Sequence, residues 1–291
     1  MISPEILKKV KLLEIKTRHI VNNLFGGEYH SAFKGTGVEF AEVREYIPGD
    51  DIKSIDWNVT ARNNHPYVKK FNEERELTVL MMLDLSGSAY FGTGEMLKND
   101  VMVELAAILS FSAIKNNDKV GLLLFSDKII KYISPKKGKS HVLRVIREMI
   151  YHSTKDNLTN ISLAIDHIQK VVKRKSIIFL FSDFHDNYFF KSMKLLNKKH
   201  DLINIKIHDD FESNIPDLGL VKLHDVETKM TYWLDTGNKN NRKKILANYN
   251  LNNNNFLKYC KNNNIDLINI NTKYNYIEPL IHFFNSRTNK K

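Results

Sequence analysis

The chain has 291 residues, 42% of them hydrophobic, enough for a sizeable core in one large domain or in a domain with an extension. Its 44 basic against 33 acidic residues give a net charge of +11, but the lysines lie in small dispersed groups such as Lys136-Lys137 and Arg242-Lys243-Lys244, with no zinc-ligand spacing or RNP-like run beside them; the expected partner is an acidic protein surface and not a nucleic acid. A single cysteine, Cys260, excludes a disulfide framework within the chain.

Ser3-Pro4-Glu5 reads as a helix cap followed by proline at the first helical position. Ile6, Val10, Leu13, Ile20, Val21 and Leu24 then trace one apolar stripe up to Gly26-Gly27, with Lys8, Lys9, Lys11, Lys16 and Arg18 on the other face. Such a helix suits a membrane surface or packing on its own domain, and the second is expected here. Charge interrupts the stripe every few positions, so no integral membrane segment is expected, and the location expected is cytoplasmic.

Between residues 28 and 76, Glu39, Glu42, Arg44, Glu45, Asp50, Asp51, Asp56 and Arg62 crowd around Phe40, Tyr46 and Trp57, with Pro48-Gly49 as a turn. Opposite charges interleaved with aromatics suggest partly buried ion pairs that clamp the segment onto the core, the alternative being a docking face. The expected division is therefore 1–76, helix and charged segment, and 77–286, an α/β domain.

Leu77 to Leu83 is apolar except for Thr78, the pattern of a strand buried on both faces of a parallel sheet. It stops at Asp84, followed by Ser86 and Ser88, so one carboxylate and two hydroxyls leave the carboxyl end of a central strand, where open α/β sheets bind ligands. Hard oxygen donors suit Mg²⁺ or Mn²⁺, although Asp-x-Ser-Gly-Ser is also ordinary turn and cap chemistry. Val101 to Ile114 is apolar almost all round, a buried helix; KVGLLLFSD is the next strand and Ile129 to Ile133 a short one, ended by the basic turn from Ser134 to Gly138. Val142, Val145, Ile146 and Met149 mark another helix.

Thr159 stands just before an amphipathic helix carrying Ile161, Ala164, Ile165 and Ile168; a plain N-cap is its simplest role. Ile177 to Phe181 is a second wholly apolar strand, with Asp183 just past its end. Asp84, Ser86, Ser88, Thr159 and Asp183 are thus candidate cation ligands drawn from three loops at one sheet edge. A helix over Phe189–Leu196 and a strand over Leu202–Ile207 follow. Residues 209–237 break the rhythm with an antiparallel hairpin, Val221–Leu223 and Thr231–Leu234. Helical character returns from Lys239 to Lys261, weakened at Asn252–Asn255, with Cys260 on the same face as Phe256. A strand over Ile265–Ile270 and a helix over Tyr276–Phe284 close the chain. Strands alternating with helices predict a doubly wound, mostly parallel α/β sheet with an N-terminal extension and an inserted β-hairpin.

Asp84-x-Ser86-x-Ser88, Thr159 and Asp183 resemble the metal-ion-dependent adhesion site of von Willebrand factor A domains. Upstream, GTGVEF (35–40), REYIPGDD (44–51), IDWNVTAR (55–62) and EERE (73–76) strongly resemble the domain of unknown function 58 family, von Willebrand A-like proteins typically encoded beside MoxR-type AAA+ ATPases. Lys53 and Ser54 stand where that family usually has basic residues, often arginines. The resemblance implies Mg²⁺ or Mn²⁺ at the five residues, and a MoxR-type AAA+ ATPase or an acidic client as partner in protein remodelling or cofactor insertion.

No enzymatic activity is expected. The alternative is a haloacid dehalogenase-like phosphotransferase with Asp84 as nucleophile, for which Asp183-Phe184-His185-Asp186 is a suggestive later loop. Such enzymes need a second Asp two residues on as general acid and base, and position 86 is Ser. Ser86 is not in a G-x-S-x-G elbow, and no P-loop is present. His152 and His185 read as polar loop or helix-end residues.

Overall fold

Proline at the first helical position opens α1 (Pro4–Ile20), whose Val10, Thr17 and Ile20 are buried. The computed structural model describes residues 4–21, 29, 32–33, 39–63, 65–72, 76–152, 158–186, 188–224 and 230–289. Leu24 and the Gly26-Gly27 stop expected for the first helix lie outside these residues. The chain divides into two compact units, 33–77 and 1–32 together with 78–291, so α1 belongs with the α/β unit and not with the charged segment.

In the smaller unit, β1 (Glu39–Glu45) and β2 (Tyr67–Asn72) pair antiparallel, with α2 (Trp57–Asn63) between them in sequence. Asp56 caps α2, its Oδ1 accepting the Asn58 amide at 3.0 Å. Arg44 grips both carboxylate oxygens of Asp50, at 2.8 and 2.7 Å, across the Pro48-Gly49 turn. That guanidinium holds the Asp50 carboxyl below its ordinary range. Among the described residues of this unit the ion pairs Arg44–Asp50 and Lys69–Asp56 are local and partly exposed, and Ile47, Ile52 and Trp57 are 60, 66 and 65% exposed. Asp50 and Asp56 there shape a turn and a helix cap, accepting the Ile47 and Asn58 amides.

The larger unit continues with β3 (Thr78–Asp84), α3 (Lys98–Lys115), β4 (Lys119–Phe125), β5 (Ile129–Lys136), α4 (Lys139–Tyr151), α5 (Ile161–Val171), β6 (Ile177–Ser182), α6 (Phe190–Lys199) and β7 (Asp201–His208). A one-turn helix, Asp210–Ser213, leads to β8 (Leu220–His224) and β9 (Thr231–Asp235), then α7 (Lys239–Asn262), β10 (Asp266–Asn271) and α8 (Ile277–Asn289). The sheet order is β10-β7-β6-β3-β4-β5, parallel throughout except for β5. This is the doubly wound α/β arrangement expected of a von Willebrand factor A-like domain, with β8–β9 as its inserted antiparallel hairpin.

Local differences from the sequence expectations have physical causes. β5 runs on to Lys136 through Pro135, because an edge strand with a bulge tolerates a residue that lacks an amide hydrogen. Gly121 on β4 is needed there: a Cβ would lie 2.8 Å from Pro135 Cγ. α7 is unbroken across Asn252–Asn255, since Phe256 and Cys260 anchor it in the core beside Phe184 and Phe189, overriding weak propensity. α1 packs on its own domain, its Lys16 ammonium 2.7 Å from the nearly buried Glu104 carboxylate of α3. Among the described residues no helix is long and apolar enough to cross a membrane.

Candidate metal centre

The sheet reverses its winding between β3 and β6, and the carboxyl ends of these neighbours are where a doubly wound sheet opens a crevice. β3 is buried along its length because helices cover both faces, and Asp84 is its last residue, 1% exposed. Asp84 Oδ1 accepts the Ser86 amide at 2.9 Å, the local turn that the motif alone would form. Oδ2 is held differently, by the Ser182 hydroxyl at the end of β6, 2.7 Å away. Turn chemistry therefore accounts for only half of this carboxylate.

Ser86 Oγ lies 3.1 Å from Ser88 Oγ, and the Ser88 side chain is near enough to Asp183, the residue just beyond β6, to help hold its carboxyl down. The structure thus brings four of the five sequence candidates, Asp84, Ser86, Ser88 and Asp183, together at this edge. Thr159 sits on the loop before α5, at the same edge. The next residue, Asn160, donates its amide to the Ser126 carbonyl just past β4, and the Ile161 amide donates to Asp186 Oδ2. The N-cap of α5 is Asn160, whose side chain accepts the Leu163 amide, so the threonine hydroxyl is not the cap.

Phe184, directly after Asp183, has φ +60°, a left-handed conformation rare for a bulky residue. Its amide donates to Ser182 Oγ at 3.0 Å, and its ring stacks on Phe256 with centroids 4.5 Å apart. The packed ring and the hydroxyl together hold a backbone bend that sets the direction of the Asp183 loop.

The two carboxylates differ in their electrostatics. Burial pushes Asp84 up to about 7, and the neighbouring Asp183 charge adds to this against the hydrogen bonds from Ser182 and Ser86. Asp183 is equally buried, but the Lys98 ammonium 2.8 Å from its Oδ2 outweighs desolvation and holds it well below the usual carboxylate range. Lys98 is itself wholly buried at the start of α3 and also contacts Glu212 at 2.5 Å. Burial opposes its charge, and Asp183 and Glu212 more than restore it.

Sequence reasoning missed Lys98, Glu212 and Ser182. A lysine at a helix start reads as a solvated residue, and Ser182 as one more strand-end polar group. Glu212 carried a signal: Asp209-x-x-Glu212 directly after a buried strand is a capping box, and both of its side-chain bonds are formed. His185 is exposed, yet ligand atoms of Asp183, His185 and Glu212 lie within 4.8 Å of one another. His152 caps the end of α4 against Glu148, as expected of a helix-end residue.

The donors along this edge are carboxylate and hydroxyl oxygens, which fit a hard divalent cation better than a soft one. Such a cation, when bound, would supply a positive centre to which an acidic ligand could attach. Asp84, Ser86, Ser88 and Asp183 are the residues that could hold it, with Thr159 at the same edge.

A model of the family described as "Protein of unknown function DUF58" matches residues 42–255. The chain is 28% identical over 229 residues to the uncharacterized protein Rv1480 of Mycobacterium tuberculosis (strain ATCC 25618 / H37Rv), covering 77% of this chain and 72% of that one. Among solved structures, an aerotolerance-related membrane protein from Bacteroides fragilis NCTC 9343 matches at 16% identity and a TM-score of 0.47, over 74% of this chain and all of that one. Proximal thread matrix protein 1 from the mussel byssus, with a zinc-occupied MIDAS motif, matches at 18% identity and a TM-score of 0.38, over 45% and 38% of the two chains. The cytoplasmic location expected from the sequence is corrected at this point, because the Bacteroides protein it matches is described as a membrane protein.

Proposed function

The chain belongs to the family of proteins of unknown function DUF58, and from that premise we propose that it is a non-enzymatic, divalent-cation-dependent protein-interaction module. The observation that carries this reading is the gathering of Asp84, Ser86, Ser88 and Asp183 at the point where the sheet reverses its winding. Ser86, Ser88 and Thr159 hold Mg²⁺ or Mn²⁺, with Asp84 and Asp183 binding directly or through water. Magnesium takes six ligands and keeps several waters, which leaves a position for a carboxylate of an acidic partner. The partner is a MoxR-type AAA+ ATPase or its client, in protein remodelling or cofactor insertion; the family resemblance supports this part. At position 86 a hydroxyl stands where a phosphotransferase would need its general acid.

Calorimetric titration of the wild type with Mg²⁺ and Mn²⁺ gives binding heat that Asp84→Ala loses; equal heats in the two proteins remove the site. Co-purification of the ATPase in Mg²⁺ and its release by EDTA test the partner. Hydrolysis of a generic phosphate ester, abolished by Asp84→Asn, would overturn the non-enzymatic reading.

A further inference from the structure

Lys98 has no place in the five-residue cation site, yet it is wholly buried beside it and bonded to one of its members. Burying a lysine side chain is costly unless its charge is met, and here two carboxylates meet it: Asp183 at 2.8 Å and Glu212 at 2.5 Å. The ammonium also lies 5.8 Å from the centre of the Phe91 ring.

Glu212 is fixed in its turn. Its other oxygen accepts the Asp209 amide at 3.1 Å. Asp209 receives the Thr93 amide and hydroxyl at 3.0 and 2.7 Å and the Thr272 hydroxyl at 2.9 Å. The lysine is therefore anchored to a scaffold spanning the loop before α3 and the ends of β7 and β10. It is not a side chain free to swing away when a cation arrives.

That anchoring divides the oxygens of Asp183 between two tasks. Oδ2 faces the ammonium and Oδ1 accepts the His185 amide at 3.3 Å, so the carboxylate reaches the Ser88 side already engaged. A cation drawing Asp183 into direct contact would have to displace a fixed positive charge. One bound at Asp84, Ser86 and Ser88, with water between it and Asp183, would not.

Resting on the cation-site reading above, we propose that Lys98 determines the specificity of the site. By holding Asp183 at one remove, it selects a small cation that keeps its waters, Mg²⁺, over Ca²⁺, which seeks six to eight direct oxygen ligands. Lys98 is a positioning residue: it touches Asp183 and Glu212, and acts on the cation through them.

Lys98→Met tests this by titration of wild type and variant with Mg²⁺ and with Ca²⁺, alongside thermal melting. In the variant Asp183 is released as a direct ligand, and Ca²⁺ affinity rises relative to Mg²⁺ by on the order of tenfold or more. An unchanged Mg²⁺-to-Ca²⁺ ratio in a folded variant overturns the proposal. Should Lys98→Met fail to fold, water-proton relaxation of Mn²⁺ on the wild type decides: several retained inner-sphere waters support the role, and few or none overturn it. Wild type that binds no divalent cation defeats the underlying site itself, an outcome distinct from an unchanged ratio.

Discussion

From the adjacent strand, Ser182 donates its hydroxyl to Asp84 Oδ2 at 2.7 Å, while the Ser86 amide holds Oδ1 at 2.9 Å. Both oxygens of a nearly buried carboxylate are thus bonded, and still burial lifts Asp84 to about 7 from the ordinary 3.8. Two hydrogen bonds do not repay the loss of water when Asp183 stands nearby with its charge intact.

The sign of the resulting pH dependence follows. A carboxyl raised in the folded state contributes stability that is present below pH 3.8 and is lost as pH climbs through about 7. Asp84→Asn, neutral at every pH, is expected to melt roughly 2–5 °C above the cation-free wild type at pH 8, with the gap narrowing at pH 5 and closing only below pH 3.8. Equal destabilisation at both pH values would contradict it. The same ionisation makes cation affinity fall as pH is lowered through about 7, with proton release on binding, measurable by calorimetry in buffers of different ionisation enthalpy.

Phe184 carries the φ of +60° beside Asp183 while its ring sits in the aromatic cluster. Phe184→Ala is expected to cost about 3–5 kcal/mol in denaturant unfolding through lost packing. Phe184→Gly removes the same ring but relieves the left-handed backbone, so it should equal or exceed the alanine variant in stability, the reverse of the usual order. Glycine falling below alanine by the customary margin would mean that the bend is not strained.

His200, 2% exposed between α6 and β7, has no hydrogen-bond partner for either ring nitrogen among the described residues. Burial, with Lys199 nearby, depresses it to about 4 from 6.5. Its contribution to stability is present above pH 6.5 and is lost as pH falls toward 4, since the unfolded chain takes the proton first. His200→Leu is expected to flatten the loss of melting temperature between those limits. A variant that tracks the wild type would remove the histidine from the account of acid sensitivity.

The larger architecture was legible because its signals are short-range and redundant. Runs such as Val79–Leu83 and Ile177–Phe181 admit nothing but buried strands, and the Asp and Ser residues that end or follow them had to fall at a sheet edge. Lys98 escaped because its partners lie 85 and 114 residues away, and a lysine in isolation carries no sign of burial. The charges around Trp57 misled in the opposite direction: they suggested partly buried ion pairs, and Arg44–Asp50 is local while Trp57 lies mostly in solvent. Periodicity reports which face of an element is covered; it says little about a charge whose shelter comes from elsewhere in the chain.

The outer margin of the sheet has a consequence for recognition. β5 runs antiparallel, is bulged, and carries Lys131, Pro135 and Lys136. Those are the features that blunt a lateral row of amides and carbonyls, so an extended peptide finds no template for strand addition along that border. A protein that docks along this border must then be read through side chains and loop tips, and swapping or fibrous growth through it is discouraged by the same proline.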